Sequence, residues 1–451
     1  MAGYRTRPDR LMGRFMAVAP PSPRLSGSAL THRQFVLLFG GMLVASSGNT
    51  ALQSVMPAIG RAIGLPDLAV VIAYTVSAIL WVMLAPTWAR LSDRHGRKTL
   101  ILVGVGGFAG SMLLCGVALE AGINHWLSAG AAFTLFALCR CIYGGFGSAT
   151  PSATQAYLAS KTRRSARVAA LSTLSSSFGL GTVIGPALAP LFVLPLLGLP
   201  GPLFGFAGIG VTVWLAIHFG LPDDLQPRHG HRRGQGAAMS YPSLASAVTG
   251  ASVVAATHPR PRAGAARLKW SDPRIRRWII AGVATGHAQA ATLTCLGFFV
   301  IDRLHLPPLG AEKPISIVLM AGAAATLAAQ WGIIPRLGLT PRGLILSGAL
   351  VAAAGLAVTM VAHDLYGLVL GFGLASLGFG FTRPGFTAGA SLGVPMAEQG
   401  AVAGVITAAN GISYVAAPSL GMLLYGLAPP LPFAVCALLC VVVAGWGRAR
   451  L

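Results

Sequence analysis

An arginine inside a long apolar run is the first place where this chain could do chemistry. Arg140 is flanked by Cys139 and Cys141 and followed by Gly144, Gly145 and Gly147. A charge at the centre of a bilayer costs about 2.5–3.5 kcal/mol on insertion scales, so it should face a polar cavity. Bonding to backbone carbonyls of a neighbouring helix is the competing structural role. His287 lies in another apolar run, beside Gln289, Thr292 and Thr294. Its unperturbed pKa of about 6.5 suits proton exchange near neutrality, although a neutral histidine bonded to another helix would look the same. Asn49 and Gln53 follow Ser46 and Ser47 in the first apolar run. Gln330, Arg383, Asn410, Ser413 and Tyr414 complete the set of polar residues in such runs. Arg140 and Arg383 could act as counter-charges for an anionic substrate, while a lipid-facing arginine that snorkels to the interface would also account for Arg383. The 11 acids fall in loops or at helix ends, so no carboxylate stands in the core to carry a proton. Asp302, at the end of its apolar run, is a second proton candidate beside His287.

These side chains need elements that cross a membrane. Apolar residues make up 54% of the 451 residues, charged residues 10%, and the mean hydropathy is +0.70. A soluble domain carries about 25% charged residues. A bilayer core is crossed by about 20 helical residues. Runs of that kind recur near 35–59, 68–87, 99–119, 129–158, 168–192 and 203–221, then near 278–300, 314–334, 343–362, 365–391, 402–425 and 430–446. The two sets look duplicated. Gly145-Phe146-Gly147, Pro151 and Thr154 recur as Gly378-Phe379-Gly380, Pro384 and Thr387 at a constant offset of 233.

The net charge of +22 is distributed like that of a membrane protein. Lys and Arg gather in every second connection: before Arg33, at Arg90 to Lys98, at Lys161 to Arg167, from Arg228 to Arg277 and beyond Arg448. That alternation is the positive-inside pattern, and it puts both termini in the cytoplasm. No basic face alternates with stacking aromatics, so nucleic acid is excluded as a partner. The six cysteines lie in apolar runs and read as packing residues. The cluster His229, His231, Arg232 and Arg233 lacks a metal-site framework and reads as solvated linker. No phosphate loop, metalloprotease helix or nucleophile elbow is present, so neither a cofactor nor an enzyme class is indicated.

One connection carries a specific pattern. Ala89-Arg90-Leu91-Ser92-Asp93-Arg94-His95-Gly96-Arg97-Lys98 joins the second and third runs. It resembles the signature loop of the major facilitator superfamily, with Ala89 in place of the leading glycine. Gly96 can take a positive φ without strain, and Asp93 can face a helix N-terminus. The resemblance implies that Asp93 meets the eleventh span and that Arg94, Arg97 and Lys98 anchor the loop at headgroups or pair across two halves. An ordinary cationic loop is the alternative. Gly181, Gly185 and Pro186 in the fifth run are similar to the core of the family's antiporter motif, with Ala189 and Pro190 where its last glycines stand. Arg140 with its glycines is similar to the family's fourth-span motif for proton or substrate coupling. Drug exporters of the family often carry an aspartate near Asn49, which this chain lacks.

The expected fold is an all-α membrane protein of about 12 transmembrane helices in two pseudo-symmetric six-helix bundles. Residues 1–33 form a basic cytoplasmic tail, 34–221 the first bundle, 222–276 a cytoplasmic linker, 277–447 the second bundle and 448–451 a short tail. The resemblance implies a monomeric bacterial-type inner-membrane carrier. It would move a small organic molecule by alternating access, with export coupled to protons as the leading expectation. Uptake of a metabolite or organic anion is the alternative, and a membrane-embedded enzyme or receptor stands behind both.

Overall fold

The computed structural model describes residues 30–162, 164–195, 197–223, 268–395 and 398–451. The histidine and arginine cluster at 229–233 and most of the basic tail fall outside the described residues. Among the described residues there are twelve helices: α1 His32–Ile63, α2 Asp67–His95, α3 Arg97–Ile123, α4 Ala129–Lys161, α5 Arg164–Phe192, α6 Gly201–Gly220, α7 Arg276–Arg303, α8 Glu312–Leu337, α9 Pro341–Val361, α10 Leu365–Leu392, α11 Gln399–Leu427 and α12 Leu431–Arg450. Among the described residues 10 helices are long and apolar enough to cross a membrane, and α5 holds the shorter apolar stretch Ser176–Phe192. Lipid offers backbone amides no partner, so spans close their hydrogen bonds internally as helices.

Local signals fix where several helices begin. Thr31 and Gln34 bond reciprocally at the start of α1, a capping box. Thr340 caps α9, with Pro341 at the first position. The Asp364 carboxylate accepts from Gly367 N at 2.7 Å to start α10. The apolar run read as 68–87 continues helically to His95, so α2 and α3 are joined by Gly96 alone, at φ +87°. The signature stretch is therefore mostly helix rather than loop.

Packing obeys a pseudo-twofold. α1 packs on α5, and α7 on α11; α3 packs on α4 and α6, and α9 on α10 and α12. Across the halves α2 meets α11 and α5 meets α8, two pairs that the same operation exchanges. Small residues allow the closest crossings. A Cβ on Gly104 of α3 would lie 2.5 Å from Thr150 N of α4. In the second half a Cβ on Gly378 of α10 would lie 2.3 Å from Ala352 N of α9, and one on Gly355 would lie 2.1 Å from Ala375 N. These are backbone contacts that cannot yield by a rotamer change.

The contacts between halves are of another kind. Pro57 packs on Gly297, Thr75 Oγ1 lies 3.2 Å from Ser419 Oγ, and Val82 meets Gly411. They run from the end where α1 finishes toward mid-helix. This end, opposite the two termini, is called the far end below. At the near end Arg274 binds Asp272 and Glu398, each at 2.8 Å, within one half. The Arg274 hydrogen bond holds the Asp272 carboxyl below its ordinary pKa.

Because α9 and α10 touch backbone to backbone, Gly378→Val should lower stability by about 1–3 kcal/mol, the usual penalty of overpacking. Gly373→Ala, on the same helix with no atom within 4 Å of the added Cβ, should change little. Thermal unfolding of the purified protein in detergent checks both, and equal melting of the two variants would contradict the packing argument.

Candidate functional site

The site begins with how α1 is held. Gly181 and Gly185 of α5 lie against the backbone of α1 at Ser46–Ala51, and a Cβ on Gly185 would stand 2.3 Å from Ser47 O. Ser46 Oγ donates to Phe178 O at 3.0 Å, and Thr50 Oγ1 lies 3.1 Å from Gly181 O. The pair of glycines thus lets α5 grip the polar stretch of α1 by one face. Pro186 continues the same helix.

The other face presents Asn49 to α4. Arg140 Nη2 donates to Asn49 Oδ1, the one hydrogen bond of this guanidinium among the described residues. Nε and Nη1 are buried without an acceptor. Arg140 is 0% exposed. Its guanidinium carbon lies 5.0 Å from the Tyr74 ring centroid and 4.6 Å from that of Tyr143, so two π-faces supply part of its electrostatic environment. Ser77 Oγ donates to Arg140 O at 3.1 Å and ties α2 to α4 there. Directly after Arg140 the helix widens into a π turn, Tyr143–Gly147, which re-aims the side chains on either side of it.

Asn49 and Tyr74 open onto a cavity between the halves. Its polar lining includes Thr50, Gln53, Thr75, Thr294 and Tyr414; its apolar lining includes Met56, Val71, Leu293, Phe298 and Leu319. No carboxylate lines it. A lining of this mixed character suits an organic molecule that carries both apolar and polar groups.

Several expected residues lie elsewhere. His287 is about one turn along α7 from the lining residue Ala290 and two turns from Thr294, and its Nδ1 is 2.8 Å from Val283 O. A carbonyl only accepts, so Nδ1 carries hydrogen and Nε2 is left for exchange. Thr292 is fully buried, and Gln289 and Asn410 lie outside the lining set. Their phase follows from packing: α7 and α11 meet where a Cβ on Gly286 would be 2.8 Å from Ser413 Oγ. Arg383 is 5% exposed, which removes the snorkelling reading. Its Nε, Nη1 and Nη2 have no acceptor among the described residues, and Tyr414 is near enough to act on it electrostatically. Gln330 stands in the π-helical part of α8, Ala328–Ile333. The side chains of Asp93 and Arg94 lie outside the described residues. Lys98 pairs with Asp223 at 3.0 Å in its own half, rather than across the halves.

A feature that sequence reasoning missed closes the far end. Arg61, at the end of α1, bonds both oxygens of Asp67 at 3.2 and 2.8 Å. It also bonds both oxygens of Asp302, at the end of α7 in the other half. Tyr425 of α11 donates to Asp302, and the Phe298 ring lies 5.6 Å below Arg61. The signal was a lone cation in an otherwise cation-poor set of connections, six residues before one acid.

The pattern of a family known from other chains matches residues 38–418, under the description Major Facilitator Superfamily. The chain belongs to the major facilitator superfamily. Among curated relatives, the multi-drug resistance efflux pump PmrA of Streptococcus pneumoniae is 31% identical over 128 residues, covering 28% of this chain and 29% of the relative. The multidrug resistance protein MdtG of Proteus mirabilis is 25% identical over 196 residues, 42% and 45% of the two chains. The matched stretch spans less than half of either relative. Two solved structures share the fold along 92% of this chain and 99% of their own: the human organic anion transporter MFSD10, with TM-score 0.59 at 19% identity, and a variant of the nucleoside transporter NupG, with TM-score 0.65 at 12% identity. At those identities the likeness concerns fold alone.

Asn49 supplies the side-chain acceptor of Arg140, so Asn49→Ala should cost about 1–3 kcal/mol, the penalty of a buried group left unpaired. Asn49→Asp should hold or raise stability, because a charge-assisted bond is stronger than a neutral one. Unfolding curves of the three proteins in one detergent decide this, and an Ala variant as stable as the wild type would contradict the assignment.

Proposed function

We propose that this superfamily member is a secondary transporter that exports a small organic molecule by alternating access and exchanges it for protons. The observation that carries the reading is the cavity between the halves, part apolar and part neutral-polar, capped at the far end by the Arg61 cluster. Both termini and the linker 222–276 stand on the cytoplasmic side of a bacterial-type inner membrane, as the cation pattern supports. The far end is then periplasmic, and the cavity is closed outward. The names of the relatives as efflux pumps support the outward direction.

The Arg61 cluster acts as the outer gate. It is half-buried, and its bonds couple α1, α2, α7 and α11, so breaking it frees the halves to part. The Asp93 stretch, with Arg94, Gly96, Arg97 and Lys98, is assigned to the inner gate. His287 is assigned as the proton-exchanging group, since its Nδ1 is engaged by Val283 O, which leaves Nε2 for exchange about one turn from the lining residue Ala290. The protein works as a monomer with a small-molecule substrate, protons and lipid as its partners, and performs no covalent chemistry. Uptake of a metabolite or organic anion is the second reading, favoured by the lack of a carboxylate in the cavity wall.

Everted vesicles holding a proton gradient test the export reading. Adding a transported compound should release protons, and His287→Ala should lower that release about a hundred-fold, the lower end of the range for removal of one proton-transfer group. Compound accumulation in right-side-out vesicles, without proton movement in everted ones, would instead establish uptake.

A further inference from the structure

We propose that the substrate is an amphiphilic organic anion, and that Arg140, which lies directly behind the cavity-lining Asn49 and Tyr74, receives its acidic group. The inference rests on the transport reading for its biological meaning, and on geometry for its chemistry. Arg140 is buried, with Asn49 as its one hydrogen-bond partner among the described residues and two further nitrogens unbonded. Asn49 is neutral, and it lines the cavity together with Tyr74, the ring beneath the guanidinium. The charge is therefore solvated by one amide and two aromatic faces, which leaves it short of the paired carboxylate that a buried guanidinium ordinarily takes.

The second half repeats the shortage. Arg383 is buried with all three guanidinium nitrogens unbonded among the described residues, and the Tyr414 beside it lines the same cavity. The described acids that could compensate are elsewhere. Asp67 and Asp302 are already committed to Arg61 at the far end, and Asp223, Asp272 and Glu398 bind Lys98 and Arg274 at the near end. Glu312 accepts from Gly310 N at the head of α8, Asp364 caps α10, and Glu120 accepts from Asn124 Nδ2 at the end of α3. Among the described residues these two buried arginines have no carboxylate partner, each is next to a residue that lines the cavity, and no described carboxylate is in that lining; the arrangement selects against organic cations and for a ligand that brings the missing negative charge. The apolar lining of Met56, Val71, Leu293 and Phe298 requires that the rest of the ligand be hydrophobic.

Matched probes test this directly. Naphthyl, biphenyl and indolyl bodies are each prepared as a carboxylic acid, its primary amide and an amine of equal length. They are titrated calorimetrically into purified full-length protein in nanodiscs. At least one acid should bind about ten-fold or more tightly than its amide, as expected for a charge-assisted bond in a dry site, with the amine weakest. Arg140→Gln should bring the acid and amide within about two-fold while amide binding persists. Arg140→Lys, which keeps the charge, should retain part of the preference if the Gln variant does not fold.

An amide or amine binding as tightly as its acid overturns the proposal. So does the absence of acid binding for all three bodies. Chloride binding that depends on Arg140, with no acid bound, would assign the site to an inorganic ion and equally overturn it. Acid-selective binding without movement of any acid in vesicles of either orientation would leave the anion site standing and remove the transport reading alone.

Discussion

A guanidinium held away from water must find its solvation in the protein, and Arg140 sets that demand at the centre of this one. Its geometry depends on a chain of contacts that begins two helices away. Glycines on α5 let that helix touch the backbone of α1. The contact leaves Asn49 on the opposite face, where it meets Arg140 across 91 positions of sequence. α2 contributes Tyr74 and Ser77, and the π turn after Arg140 contributes Tyr143. Removing any one link turns the cavity wall, not just one side chain.

Two kinds of packing then divide the molecule into parts that should stay rigid and parts that should move. Inside each half, helices cross on glycine with backbone against backbone. Such contacts are short-ranged and unforgiving, because a dense interior has few alternative arrangements. Between the halves, the contacts include a proline on a glycine, a hydroxyl pair and one ionic cluster, alongside the packing of α2 on α11 and of α5 on α8. Polar contacts of that sort can be exchanged for water when an end opens, at modest net free energy. The difference gives alternating access a physical basis: two stiff bodies share a seam that is weak by composition.

Much of this was legible in the sequence. The twelve apolar runs marked the helices to within a few residues, except that α2 runs on through the charged stretch to His95, because polar residues at a membrane surface still satisfy their backbone best as helix. The repeat of Gly145 and Gly147 as Gly378 and Gly380 pointed to the two halves. Arg140 and Asn49 were singled out separately, on charge and on polarity in an apolar run. Their pairing was not legible, since helix phase is set by the α1–α5 contact and not by either residue. The same reason displaces His287 by one turn from the cavity. The Arg61 cluster was hidden because its partner Asp302 lies 241 positions away, and nothing in the sequence pairs the end of α1 with the end of α7.

The account turns on the halves moving as bodies about a closed far end. Distances between spin labels measure that most directly. In a cysteine-free background, one pair is placed at Gly64 and His305, at the far ends of α1 and α7, and another at His95 and Pro395, at the near ends of α2 and α11. Charge reversal at the gate, Asp302→Arg, should lengthen the first distance and shorten the second in the same sample. Distances that stay fixed, or that grow together at both ends, would contradict alternating access about the Arg61 cluster.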